Sequence, residues 1–487
     1  MKKLLFPVIL FLFPFIVKAQ NQPQILKDFE GTISRLNGSL SISEHVNLMQ
    51  VTIDDENFDM IAIDDQMHVL WKTKLKGYSI GFGKFRDKIM IVAATGYSEY
   101  KGISSTYNGY VLDPQSGKVT LQKEIYHGSE QFQETPLAIF NNLGTVFKLL
   151  VKQNAVARKT FTTSRTMDNF RVTQDLTIID YNDQLEPVNT IKPVISNDTF
   201  LGFTANNKNE TFIGWLKDNG TVSIIKYEAG KKEPVKQLDQ VLNIQYGLDQ
   251  KMGFNNMLLS SSRTNDNVIF LSGLIKGNGN DMQVVTGKFD FGSNTHKITT
   301  QGLSKAIFKT IEKSFAAPGK DLPDSNLGYP PNMLLKFASE QDGTLLIGLS
   351  AHYVEQTSNA FWQTENSLLI CGYDTDLNLK FQQVLPSGYS TPSHTFPTGV
   401  YFSKGFLYVV ANFKSSLITL KALYGKLDLK TGKWEKMQVL SKEKISNSDY
   451  AVGNSISWYP DSFMVPYAEQ RGIMKNKMGI LLQKNSY

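Results

Sequence analysis

NGYVLDPQSGKVTLQKEI, residues 108–125, and YGKLDLKTGKWEKMQVL, residues 424–440, share one layout. An apolar run ends in a tight polar reversal, and a second run begins. The reversals match in kind: Asp, two variable residues, Ser or Thr, Gly, Lys, from Asp113 to Lys118 and from Asp428 to Lys433. Such a pair is either a ligand motif used twice or a structural turn. At Asp374 the same place reads DTDLN, and at Asp64 it reads DDQMH, with neither Gly nor Lys kept. A ligand site needs the lysine. A chain reversal needs only Asp to start the turn and a residue that tolerates positive φ. The turn is punctuation, and its recurrence measures the fold.

Related strand–turn–strand units occur at Asp64, Asp113, Asp180, Glu228, Asp290, Asp374 and Asp428, at steps of 49, 67, 48, 62, 84 and 54 residues. Between them lie short runs rich in Val, Ile, Leu, Phe and Tyr, among them DKIMIVAA (87–94), TFIGWL (211–216), NVIFLSGLI (267–275) and GFLYVVANF (405–413). Each has strand length and strand composition. Strand follows strand without intervening helices, which excludes a parallel α/β fold. A period near sixty with about four strands per unit predicts an all-β fold, a single closed β-propeller.

Seven turns set seven blades as the minimum. After the last turn, SISWYP, SFMVPYA and MGILLQ supply three further strands, and ILKDFEGTI (25–33) supplies a fourth. Closure by both chain ends removes exposed sheet edges. The reading is therefore eight blades, with seven as the alternative, in one domain spanning 20–487 without a Pro/Gly/Ser linker. The long step contains an insertion, SKAIFKTIEKSF, whose Ile307, Phe308, Ile311 and Phe315 share a helical face. A short helix near 304–315 is expected there.

Lys2 and Lys3, the apolar stretch Leu4 to Val17, and Ala19 form a secretory leader. Cleavage between Ala19 and Gln20 is expected, giving a soluble chain in the periplasm or outside the cell. No later stretch has the length of a membrane helix. The formal charge of +6 includes Lys2, Lys3 and Lys18, so the processed chain carries +6 − 3 = +3. That gives no basic footprint for nucleic acid. Cys371 is the one cysteine, set in the apolar SLLICGY, and reads as an inert buried thiol.

Motifs with chemical content are few. GYSIG (77–81) has the Gly-x-Ser-x-Gly spacing, but FGKFRDKIMIVAA follows and reads as turn and strand, not the helix a nucleophile elbow requires. Ser79 is placed in an inter-blade connection. Asp374, Asp376 and Asn378 begin like a calcium loop, yet Leu379 and Leu385 occupy the positions of its Gly and Glu. The histidines His45, His68, His127, His296, His352 and His394 show no zinc spacing. No metal site, cofactor motif or catalytic residue is therefore assigned. One region departs from the average. The chain has seven arginines, and Arg158, Arg165 and Arg171 fall within fourteen residues. Arginine grips carboxylates, sulfates and phosphates in bidentate fashion, so these three are the candidate ligand-binding residues.

The stretch 332–386, NMLLKFASEQDGTLLIGLSAHYVE to NSLLICGYDTDLNLKFQQVLP, resembles blades of secreted, largely uncharacterised Bacteroidetes propeller proteins. A strand ending in Asp342-Gly343 leads to an apolar strand, an excursion, a further strand and a turn to an outward strand. The resemblance implies fold and export, with no catalytic residues to carry over. The expected function is a binding or interaction module for an envelope protein or an acidic glycan, acting through face loops. The alternative is a polysaccharide-active enzyme, lyase or glycosidase, with its site at the propeller axis.

Overall fold

The computed structural model describes residues 25–31, 38–96, 105–128, 135–154, 173–242, 257–276, 282–303, 333–356, 361–391, 398–414, 420–440, 449–468 and 478–487, together with 307 and 445–446 and without 55, 142, 196–197 and 218. The fold is an eight-bladed β-propeller. Seven consecutive four-stranded antiparallel sheets occupy 39–76, 78–127, 137–191, 199–241, 257–302, 333–391 and 398–439, here blades 1 to 7. Blade 8 takes its inner strands from Tyr450–Ala451 and Ser457–Trp458, then Ser462–Ala468 and Met478–Ser486. Its outermost strand is Ile25–Gly31, antiparallel to Met478–Ser486. Among the described residues, helix is confined to the 3-10 turn Gly453–Ser455 and to Ile307. The rest of the expected 304–315 helix, like the leader, lies outside the described residues.

The strand patterns follow from position in the blade. The second strand of blade 4, Thr211–Leu216, is buried at every residue. It is covered on both faces by neighbouring blades, so its sequence is continuously apolar rather than alternating. The outermost strand of blade 7, Lys433–Val439, alternates exposed and half-buried residues, as a half-solvated strand must. The core is not one mass but a set of walls between blades. Leu48, Phe58 and Met60 of blade 1 meet Ile89, Ile91 and Tyr110 of blade 2. The same arrangement recurs around the ring to Met49 and Ile61 of blade 1 against Tyr450, Met464 and Ile480 of blade 8. That last wall closes the circle.

All seven repeated turns fall between the third and fourth strands of blades 1 to 7. In the Asp113 turn, the carboxylate accepts hydrogen bonds from the amides of Gln115 and Ser116 and from the Ser116 hydroxyl. Those donors, the Ser116 hydroxyl foremost, hold the Asp113 carboxyl below its ordinary range. Asp428 does the same with the amides of Lys430 and Thr431, and Asp374 with those of Asp376 and Asn378. The calcium-like DTDLN is thus a hairpin turn whose leading carboxylate is engaged by its own backbone. Leu377 there takes the left-handed φ of 62° that Gly117 (67°) and Gly432 (66°) take in theirs.

The turns that keep glycine have a second task. A Cβ on Gly117 would lie 2.3 Å from the Trp71 ring on the outermost strand of blade 1, and one on Gly432 would lie 2.4 Å from the Phe381 ring of blade 6. The glycine carbonyls accept hydrogen bonds from Thr73 and Gln383, each two residues beyond its aromatic. Each turn is therefore a clasp on the preceding blade: ring on glycine, side chain on carbonyl.

Candidate axial cavity

Each blade begins with its innermost strand, so the eight first strands surround the propeller axis. There they enclose a cavity of about 790 Å³, lined from every blade but the fourth. One arc is apolar and aromatic. Tyr401 of blade 7 stacks on Trp458 of blade 8 at 5.3 Å between centroids, with ring planes 9° apart, and Phe337 and Phe402 meet edge-on. Backbones come unusually close here. A Cβ on Gly399 would sit 2.4 Å from the Gly453 carbonyl oxygen, so the 3-10 turn of blade 8 lies directly on the inner strand of blade 7. Neutral polar groups line much of the rest, among them Ser39, Ser41, Asn47 and Asn454.

The charged lining is of one sign. Lys84, Arg263 and Lys336 face the cavity from blades 2, 5 and 6, and among the described residues no Asp, Glu, His or Cys lines it. The Lys84 ammonium donates to the Ile42 carbonyl at 2.8 Å, across to the inner strand of blade 1. Arg263 Nη1 donates to Gln341 Oε1 at 3.2 Å. Both are neutral acceptors. Partial desolvation lowers the Arg263 pKa from its ordinary value, against the opposing fields of Glu340 and Asp342, and guanidinium stays charged throughout the accessible pH range. Glu340 itself is buried. Its oxygens accept from the Ser262 hydroxyl, the Arg263 amide and the Gly343 amide, which ties blade 5 to blade 6.

The candidate residues Arg158, Arg165 and Arg171 lie outside the described residues, in the connection between Phe147–Asn154 and Thr173–Tyr181 of blade 3. The reading of Ser79 needs correction. It lies within the innermost strand of blade 2, Tyr78–Phe85, and is buried, not in an inter-blade connection. The glycines around it have a packing reason. A Cβ at Gly81 would be 3.0 Å from that of Ala138, and one at Gly83 would be 2.3 Å from the Phe140 ring, so they admit the inner strand of blade 3. Cys371 is fully buried in blade 6, and burial pushes its thiol up to about 12.

The described histidine side chains are exposed and dispersed. His45 and His68 face Asp65 and Asp64 at neighbouring turns of blade 1, while His127 and His296 lie on outermost strands. Among the described residues, no three His, Cys, Asp or Glu side chains converge as metal ligands, and no helix is long and apolar enough to cross a membrane. The sequence reading missed Lys84, Arg263 and Lys336. Their one signal is position: a cation on, or just after, the first strand of a blade, alone in blades 2 and 5 and accompanied by Glu340 in blade 6.

No family model matches the chain, and no curated protein matches it. Solved structures resemble it in fold. The WD40 domain of SCAP from fission yeast is 10% identical with a TM-score of 0.37, covering 95% of this chain and 98% of that one. The β-propeller domain of the Trilobed protease from Pyrococcus furiosus is 10% identical with a TM-score of 0.38, covering 86% and 98%. Quinohemoprotein alcohol dehydrogenase from Comamonas testosteroni is 9% identical with a TM-score of 0.45, covering 94% and 76%. Proteins this diverse share an architecture and nothing finer.

Proposed function

We propose that this chain is an exported propeller that serves as a binding module, taking a protein or glycan ligand at its axis and through the connections on one face. The observation that carries the reading is the axial lining: among the described residues it holds cations, amides, hydroxyls and aromatics from seven blades, and no carboxylate, imidazole or thiol. Glycoside hydrolysis in its usual form needs two carboxylates about the scissile bond. The described residues of the lining provide neither, whereas orientation by a few polar groups in a largely apolar concavity is what a binding site requires.

Glycan-array and envelope-extract capture with the processed chain test this reading, with Ser41→Trp as comparison. Ser41 is an exposed residue of the lining, so the indole fills the cavity without entering the core. Binding that Ser41→Trp abolishes is the expected result. Equal binding by both proteins overturns the axial site. Export rests on the leader, and N-terminal sequencing of the protein from an envelope fraction is expected to begin at Gln20.

A further inference from the structure

We infer that the axial cavity selects an acidic oligosaccharide, with Lys84 and Arg263 as its carboxylate-binding groups. The inference rests on the binding-module reading and adds the ligand's charge and chemical class.

Charge comes first. Lys84 and Arg263 enter the cavity from separate blades, and among the described residues neither has a carboxylate within ion-pair distance. Their acceptors are a backbone carbonyl and a side-chain amide, neither of which carries a formal negative charge. Lys336 adds a third cation to the lining. Two carboxylates lie near Arg263: Glu340, whose oxygens are already taken by a hydroxyl and two amides at the blade 5–6 junction, and Asp342. Both trim the field at Arg263, and neither is among the described lining residues. Cations inside a low-dielectric wall focus the potential on the enclosed space and favour an anion there. Arginine has donors to spare beyond the bond to Gln341, and its fork fits a planar carboxylate.

The remainder of the lining specifies the body that carries the charge. The Ser39 and Ser41 hydroxyls donate to the Ile456 and Ser43 carbonyls, and each oxygen keeps a lone pair that can accept from a ligand hydroxyl. Tyr401 and Trp458, stacked on each other and both in the lining, add flat aromatic surface beside them. A volume of about 790 Å³ holds a short oligomer rather than a single ion. Anion, hydroxyls and an apolar ring face together describe a uronate-containing saccharide.

The test is calorimetric titration of the processed full-length chain with a galacturonate trisaccharide and with its fully methyl-esterified form. The acid is expected to bind and the ester to bind at least tenfold more weakly. Lys84→Gln and Arg263→Gln are each expected to weaken the acid about tenfold or more, the usual effect of losing a hydrogen bond to a charged group. Their melting temperatures serve as the folding control. Should one variant not fold, the wild-type salt series replaces it: affinity for the acid is expected to fall from 50 to 500 mM NaCl and affinity for the ester to stay level, about as screening dictates. Equal affinity for acid and ester, lost in Ser41→Trp, overturns the charge inference and leaves the binding-module reading standing. No binding of either sugar overturns the inference, and the array and extract captures then judge the module reading separately. Inorganic sulfate competing as well as the trisaccharide shows an anion site without sugar recognition and also overturns it.

Discussion

Gly117 and Gly432 show what one residue decides. Each is held in the left-handed region and each lies against an aromatic ring of the preceding blade. Alanine at either position meets two penalties, backbone strain and overlap with a ring that is itself packed. Gly230 separates them, since its φ is 73° but nothing lies within 4 Å of an added Cβ. Gly230→Ala is expected to cost about 1–2 kcal/mol, the strain alone. Gly117→Ala and Gly432→Ala are expected to cost a further 1–3 kcal/mol or so from overpacking. Urea denaturation of the three variants measures this. Equal costs at all three positions would mean that the rings yield and that the clasp contributes little. The aspartates of these turns were readable from sequence because Asx-type turns are local chemistry. The partner ring was not, because Trp71 and Gly117 meet only when blade 2 packs on blade 1.

Among the strands, the second and third of blade 3 carry an ion pair inside the protein. Lys148 Nζ lies 2.6 Å from Asp180 Oδ1, with side-chain exposures of 0% and 4%, and it also donates to the Asn209 carbonyl of blade 4. The two residues are direct cross-strand partners in the ladder. Burial lowers the Lys148 pKa, and Asp180 opposes that shift by attraction and hydrogen bonding. Lys148→Ala leaves a carboxylate buried without its cation and is expected to destabilise by about 3–5 kcal/mol. Replacing the pair together, Lys148→Met with Asp180→Leu, is expected to recover most of that loss. Thermal and urea denaturation check both outcomes. A double variant as unstable as the single would show that the bond to Asn209, not the charge pair, matters. In sequence, Lys148 looks like a break in FKLLVKQN. Only the register of the two strands places it opposite Asp180.

For the whole molecule, ring closure is the controlling feature. Blade 8 joins four strands from the C-terminal end of the chain, two of them two-residue pieces, to Ile25–Gly31 from near its start. Further contacts fasten the junction: Asn47 Nδ2 donates to the Trp458 carbonyl at 3.0 Å, and the Tyr459 hydroxyl to that of Ile63 at 3.0 Å. A processed chain lacking residues 20–31 exposes Met478–Ser486 as an unpaired edge. It is expected to melt at a lower temperature and to associate with rising concentration, as open strand edges do. Light scattering and thermal denaturation against the untrimmed processed chain test it. Matching behaviour would show that the interface of blades 8 and 1 closes the ring unaided.

By itself the sequence determined the all-β class and the period and favoured eight blades over seven, a choice the eight sheets decide. Class and period depend on runs of strand-forming residues and on turns whose chemistry lies within six residues. The expected leader is likewise a reading of local pattern, charge followed by apolar length. The tertiary structure alone decided which glycines are contact points, that Ser79 is a packed strand residue, and that Lys84, Arg263 and Lys336 share one cavity. Those facts join positions up to some 250 residues apart in the chain. A cation on a first strand carries no local mark of what it will face, because only the closed ring turns eight separate strands into one wall.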